Sequence, residues 1–129
     1  MMDKTLESFL HPHRKPNVKF KLPAFDGEFE MRALTAQEGI DCAVFAEQRG
    51  IPAGLAMMPN VAEGLVTPDL HNAELQDMLS EKAGKKIMEP YDAALAMFTD
   101  SEMATLVSIY SKLTVTPVEY LEGIEQAKN

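Results

Sequence analysis

The feature that most constrains this fold is a pair of alternating segments, residues 17–34, on either side of Asp26-Gly27. In both segments apolar residues alternate with charged ones, which is typical of two strands that each bury one face. Asp-Gly is a strong signal for a two-residue hairpin turn, and such a turn places the apolar residues on one face. The expected cross-strand pairs are Phe25 with Glu28, Leu22 with Met31 and Phe20 with Ala33.

Pro23 conflicts with this register, because it would face Glu30 at a hydrogen-bonded pair and has no N–H to donate. Either the strand that carries Pro23 lies at an edge, or the loop is longer than two residues. An isolated two-stranded hairpin is marginal in water, so its apolar face must pack on helices or on another copy of the chain.

A capping box at Thr35–Glu38 predicts a helix that begins at Ala36. Gly50 suits the left-handed position after a last turn, so this helix should end near Arg49-Gly50. The side chains expected to face the core are Ile40, Ala43, Val44 and Phe45. After it, Pro and Gly interrupt the segment 51–66, which predicts a flexible loop around Met57 and Met58. A short helix is expected at Val61–Val66.

Two helices are expected next. The first begins at Ala73, within the connector Thr67–Asp77. Asn72 is a good N-cap for a helix that ends at Ala83-Gly84. Its packed side is expected to contain Leu75, Met78 and Leu79. The second helix spans Ile87–Phe98, with Pro90 in its first turn. Its apolar side is expected to contain Tyr91, Leu95 and Phe98.

Two more capping boxes, Thr99–Glu102 and Thr116–Glu119, predict the last two helices. The first of these has the clearest apolar face in the chain, formed by Met103, Leu106, Val107, Tyr110 and Leu113. The second carries Val118, Leu121 and Ile124 before a polar tail.

Together these elements predict an α+β, mostly α, fold in one domain, 1–129. A flexible arm at 1–16, with a short amphipathic turn at Leu6, Phe9 and Leu10, precedes the hairpin at 17–34. The hairpin packs on a bundle of four to five short helices within a helical region at 35–127, which has a loop-rich stretch near 50–60. A chain of 129 residues fits one modest core.

The net charge of -8 argues against nucleic acid as a partner, because phosphate contacts need clustered Lys and Arg. A single cysteine, Cys42, excludes an intramolecular disulfide and fits a reducing cytosol, with the thiol an inert part of the core. The sequence predicts neither a signal peptide nor a membrane span. Nine methionines suit either an adaptable binding surface or a helical core.

The sequence contains no established catalytic motif, and we expect a protein that is not an enzyme and needs no cofactor. His11 and His13 flank a proline, and a zinc site needs three or four ligands at defined spacing. Asp69, His71 and Asp77 are close in sequence, but His71 and Asp77 lie on opposite sides of the Asn72 cap. No catalytic, metal or cofactor-binding residue is therefore assigned, and the partner-binding residues are left open.

The stretch Pro68–Asp77, PDLHNAELQD, resembles the P-x-L-x-[ND]-A-E-L-Q-[DE] signature of XkdN-like tail assembly chaperones of long-tailed bacteriophages and prophages. Their order of elements is similar too. An N-terminal Leu-x-x-Phe-Leu arm corresponds to Leu6–Leu10, and a Leu-Thr-x-x-Glu helix start corresponds to Leu34–Glu38. The similarity covers roughly residues 5–115.

This resemblance implies a small, mostly helical chaperone that binds the tape measure protein in the host cytoplasm and assists tail tube assembly by helping to recruit the tail tube protein. It also implies that the chaperone is absent from the mature virion. Self-association is plausible because an exposed hairpin edge can pair with another copy. Two alternatives remain. One is an acidic regulator or inhibitor that mimics nucleic acid and binds a host enzyme, and the other is a metal-dependent enzyme that uses His11, His13 or His71.

Overall fold

The computed structural model describes residues 3–114, which form a small antiparallel sheet and six α-helices. The strands are β1 (Val18–Phe20), β2 (Phe29–Met31) and β3 (Leu65–Thr67), in the sheet order β1-β2-β3. The helices are α1 (Lys4–Ser8), α2 (Ala36–Gln48), α3 (Met58–Gly64), α4 (Ala73–Ala83), α5 (Pro90–Met97) and α6 (Asp100–Thr114). The expected α+β, mostly α, class is confirmed. The capping box at Thr116–Glu119 and the last helix lie outside the described residues.

The hairpin is present, but its predicted register is wrong. Phe20 pairs with Phe29 and Val18 with Met31, so the connection is a long loop and not a two-residue turn. Pro23 explains the difference. The backbone N–H of Phe25 donates to the carbonyl of Leu22 at 3.0 Å, which places Pro23 at the second position of a turn, where its fixed φ is favoured. Because the shift is even, the apolar side chains still share one face.

An unpredicted third strand, β3, makes the hairpin part of a larger sheet. Met31 pairs with Leu65, and the backbone N–H of Arg32 donates to the carbonyl of Gly64 at 2.9 Å. A Cβ at Gly64 would lie 3.0 Å from the carbonyl oxygen of Arg32, so a larger residue would require this backbone to shift by a few tenths of an ångström. The predicted helix at Val61–Val66 is therefore displaced: α3 begins at Met58 and ends where β3 begins.

The core lies between one face of the sheet and the helices. Its buried members are Leu22, Phe29, Met31, Val61, Ala62, Leu65, Leu70, Ile87, Ala93, Ala94, Phe98, Met103, Leu106 and Tyr110. Phe25, from the hairpin loop, makes edge contacts with Phe29 at 5.4 Å and with Phe98 at 5.6 Å between ring centroids. These aromatic contacts hold the loop of the hairpin against the end of α5 and supply the cover that an isolated hairpin lacks.

The helix boundaries follow the predicted caps closely. Thr35 and Glu38 form a reciprocal capping box, and the chain leaves α2 through Gly50 at a φ of 68°. Gly84 ends α4 at a φ of 69° in the same way. In the box that opens α6, the N–H of Thr99 donates to the Glu102 carboxylate and the N–H of Glu102 to the Thr99 hydroxyl. The apolar face of α6 is confirmed.

The prediction for the core-facing side of α2 is wrong. Its buried residues are Cys42 and Ala46, whereas Ile40 is 58% and Val44 is 46% exposed. The reason is that α2 packs against α3 through small side chains, which allow close approach of the two helices. Ile40, Ala43 and Val44 therefore form an exposed strip on the other side of the helix, called here the α2 outer face.

Two other apolar stripes also differ from expectation. Met78 on α4 is 63% exposed, and Leu95 on α5 is 47% exposed. Both helices pack through fewer or smaller side chains than expected: Leu75 and Leu79 on α4, and Ala93 and Ala94 on α5. In the expected loop around Met57, a short 3-10 helix, Ala53–Leu55, precedes α3.

Every residue of the arm from Asp3 to Pro16 is exposed. The expected amphipathic turn is the short helix α1, capped by the Asp3 side chain, and it contains no buried residue. Among the described residues, no helix is long and apolar enough to span a membrane.

Candidate functional site

The connector Thr67–Asp77, which includes the stretch PDLHNAELQD, is held in place by contacts within the chain. Leu70 is 1% exposed and belongs to the core. The side-chain oxygen of Asn72 accepts from the N–H of Leu75 at 2.9 Å, which confirms the predicted N-cap. The side-chain amide of Gln76 donates to the carbonyl oxygen of Leu70 at 2.7 Å. The motif residues therefore set the entry angle of α4.

His71 lies in this connector, but its partner is not Asp77. Its Nε2 is 2.8 Å from a carboxylate oxygen of Glu63 on α3, and its backbone N–H donates to Asp69. His11 and His13 are exposed in the arm. Within residues 3–114, no group of three or more His, Cys, Asp or Glu residues is arranged to hold a metal ion.

A concave feature that the sequence did not predict is a cleft of about 340 Å³ between α2, α3 and the start of α5. We call it the acidic cleft. Its apolar lining is Cys42, Phe45, Pro59, Pro90 and Tyr91. Its carboxylate lining is Glu38, Asp41, Glu63 and Glu89. No local sequence signal groups these residues, because they come from three separate elements.

Two of the four carboxylates in the cleft have a basic side chain as partner. Glu38 forms a two-point ion pair with Arg32, with oxygen–nitrogen distances of 2.8 and 2.6 Å. The hydrogen bond from Arg32, together with that from the Thr35 backbone, lowers the pKa of Glu38 to about 2. Glu63 faces His71, as described above. Within residues 3–114, Asp41 and Glu89 have no cationic partner at ion-pair distance.

The thiol of Cys42 is the one nucleophile that lines the acidic cleft. Burial, followed by the negative charges of Glu63, Glu38 and Asp41, raises its pKa to about 11. A thiol with that pKa is almost entirely protonated at neutral pH, and only the thiolate is strongly nucleophilic. This environment agrees with the prediction that Cys42 is unreactive.

The aromatic wall of the cleft is fixed by an arginine. The guanidinium carbon of Arg49 lies 5.2 Å from the ring centroid of Phe45 and 5.8 Å from that of Tyr91. The same guanidinium donates to both carboxylate oxygens of Asp92, at 3.0 and 2.6 Å. These contacts tie the end of α2 to the start of α5 and keep the cleft open between them.

The second candidate surface is apolar and convex. Large apolar side chains remain exposed at several positions of the helical region. They are Ile40, Val44, Leu55, Met57, Val66, Met78, Met88 and Leu95, with exposed fractions between 38% and 64%. Single exposed apolar residues are ordinary, but the α2 outer face places Ile40, Ala43 and Val44 side by side at helical spacing. Sequence periodicity identified this strip correctly but assigned it to the core.

Comparison with protein-family models, with curated proteins and with solved structures gave no match to this chain.

Proposed function

We propose that this chain is a non-catalytic tail assembly chaperone, which binds the tape measure protein of a long-tailed phage or prophage in the host cytoplasm. The observation that carries the proposal is the α2 outer face, where Ile40 and Val44 are well exposed beside each other on a rigid helix. A helix face of this kind can receive the apolar side of another helix. A long, helix-rich partner would offer many such sides.

The motif resemblance supports the same family without itself providing a partner surface. Leu70, Asn72 and Gln76 are used by the connector and by the start of α4. A family would retain these residues because the position of α4 depends on them. The contacts with the partner are therefore expected elsewhere, on surfaces that the core leaves exposed.

Charge supports the chaperone role in a second way. The net charge of -8 would keep an apolar partner soluble once several copies have coated it, because like-charged complexes repel each other. The tail tube protein is the other partner that the resemblance implies. It would be recruited by copies of the chaperone that are already bound along the tape measure protein.

Nucleic-acid mimicry would need a regular array of free carboxylates. Several carboxylates are engaged inside the molecule: Glu38 with Arg32, Glu63 with His71, Asp92 with Arg49, and Glu102 in a capping box. This arrangement favours the chaperone over the mimic. An acidic inhibitor would instead compete with DNA or RNA for a host enzyme and would leave tape measure segments unbound.

Co-purification with tagged tape measure segments from the same phage genome tests the proposal. We expect Ile40→Ser with Val44→Ser to reduce the amount of co-purified partner by roughly tenfold, since each removes an exposed apolar contact from the proposed interface. Leu95→Ser is the matched control, because Leu95 is 47% exposed on a different helix. Equal loss with the control variant, or no loss with the double variant, would contradict binding through α2.

A further inference from the structure

The arm, residues 3–16, carries an apolar cluster that no other part of the described chain, 3–114, covers. Leu6, Phe9 and Leu10 are 61%, 76% and 62% exposed, and their spacing places them on one side of α1 and its C-terminal end. A helix of five residues is unstable by itself in water, so this apolar side needs a contact elsewhere to keep its shape. A basic stretch with His11, His13, Arg14 and Lys15 follows directly.

The acidic cleft is complementary to the arm in polarity and in charge. Its apolar lining includes Phe45 and Tyr91, and its volume of about 340 Å³ has room for one aromatic ring. Phe9 is the most exposed large apolar side chain among the described residues. Asp41 and Glu89, which have no ion-pair partner within residues 3–114, line the same cleft and offer negative charge to a basic stretch that follows the ring.

The arm is anchored at its base and is exposed along its whole described length, from Asp3 to Pro16. The Lys15 ammonium donates to the carbonyl oxygen of Lys112 at the end of α6, at 3.2 Å. The seven residues from Phe9 to Lys15 span up to about 20 Å when extended, which is enough to reach a neighbouring molecule. An arm that is exposed along its length can therefore reach the complementary cleft of another copy.

We propose that the arm of one copy docks in the acidic cleft of a second copy, with Phe9 against Phe45 and Tyr91, and with His13 and Arg14 beside Asp41 and Glu89. The exchange is reciprocal, so a two-fold dimer contains two identical arm contacts and no free arm. This dimer uses neither Ile40 nor Val44. It goes beyond the proposed function, and its failure would leave tape measure binding through the α2 outer face untouched.

Sedimentation velocity of the full chain over a concentration series tests the proposal. We expect a reversible dimer that weakens as salt is raised, since the charged contacts are at the surface. Phe9→Ala should raise the dimer dissociation constant by roughly tenfold or more, as expected for a central aromatic anchor. Leu55→Ala, at a residue that is 48% exposed outside both surfaces, should leave the constant unchanged. A wild-type chain that stays monomeric, or a dimer indifferent to Phe9→Ala, would overturn the proposal.

A charge-reversal pair separates exchange between copies from docking within one copy. One variant carries His13→Glu and Arg14→Glu in the arm, and the other carries Asp41→Lys and Glu89→Lys in the cleft. Each variant alone should be monomeric, because its arm and its cleft then repel each other. A one-to-one mixture should form a heterodimer, since each arm again meets a cleft of opposite charge. Two variants that remain monomeric when mixed would contradict exchange, as would homodimers of either variant alone.

Discussion

The side-chain amide of Gln76 donates to the backbone carbonyl of Leu70 at 2.7 Å, across the turn that leads into α4. This bond joins two positions of the stretch Pro68–Asp77 and accounts for their spacing. Leu70 is anchored in the core, Asn72 caps the helix, and Gln76 reaches back one turn later. The glutamine satisfies a partly buried carbonyl that the connector would otherwise leave without a donor.

Gln76→Glu removes this donor and places a carboxylate against the Leu70 carbonyl. We expect a loss of about 1–3 kcal/mol in the free energy of unfolding, measured by urea denaturation at pH 7, because a partly buried acceptor becomes unsatisfied. Gln48→Glu, at an exposed glutamine on α2, is the control and should change stability by less than about 0.5 kcal/mol. Equal effects of the two substitutions would mean that the bond contributes nothing specific.

Asn72→Ala removes the side-chain acceptor for the N–H of Leu75. The expected cost is about 1 kcal/mol in the free energy of unfolding, the usual value for a lost N-cap. Asn72→Asp retains an acceptor at the start of α4 and should be nearly neutral or slightly stabilising, since the helix dipole favours negative charge there. Unchanged stability of the alanine variant would show that Asn72 does not stabilise this helix.

The Arg32–Glu38 ion pair makes stability depend on pH in the acidic range. Because the folded-state pKa of Glu38 is lowered to about 2, its contribution is present above the unfolded pKa, about 4.3, and is lost as pH falls toward the folded value. Both side chains are about one-third exposed, so solvent screens the pair, and we expect Glu38→Gln to cost about 1 kcal/mol at pH 7.

The difference between wild type and Glu38→Gln should be smaller at pH 3 than at pH 7, measured by urea unfolding at both values. Glu81→Gln, at an exposed residue on α4, is the control and should show little difference from wild type at either pH. A Glu38→Gln effect that stays constant between these pH values would be incompatible with an ionised Glu38 stabilised by Arg32.

Cys42 should react slowly with thiol reagents in the folded protein. Its pKa is raised from 9.0 to about 11, which lowers the thiolate fraction at neutral pH roughly a hundredfold, and burial slows access further. The rate of reaction with an aromatic disulfide reagent at pH 7 should therefore rise at least that much in denaturant. It is the only cysteine in the chain, so the signal is unambiguous. A native rate equal to the denatured rate would contradict a buried thiol.

The boundaries of α2 and α4 and the start of α6 were predicted well because caps are local, whereas α3 is displaced and α5 begins at Pro90 instead of Ile87. Thr35 and Glu38 are three residues apart, and a glycine after the last turn adopts its left-handed conformation without help from the rest of the fold. The hairpin was predicted with its apolar face correct but its register wrong. Leu22 and Phe25 lie in the loop and do not pair across the strands. The observed register depends on the contact of Phe25 with Phe98, which is distant in sequence.

Features that depend on contacts between distant elements were the ones missed. No residue next to Leu65 in the sequence indicates that Leu65 will pair with Met31. The pairing depends on the close approach of the Gly64 and Arg32 backbones, which are distant in sequence. The side of α2 that faces the core was misassigned because small residues, Cys42 and Ala46, pack there. Periodicity locates an apolar strip, but it cannot distinguish a buried strip from one exposed for a partner.

The most direct test of the chaperone proposal is the solubility of the tape measure protein from the same phage genome, expressed with and without this chain. We predict that the tape measure protein, or its apolar segments, will be found mostly in the soluble fraction only when the chain is present, and will co-purify with it. The chain with Ile40→Ser and Val44→Ser should lose this effect, whereas Leu95→Ser should retain it. A tape measure protein that stays insoluble and unbound in the presence of the wild-type chain would contradict the proposal.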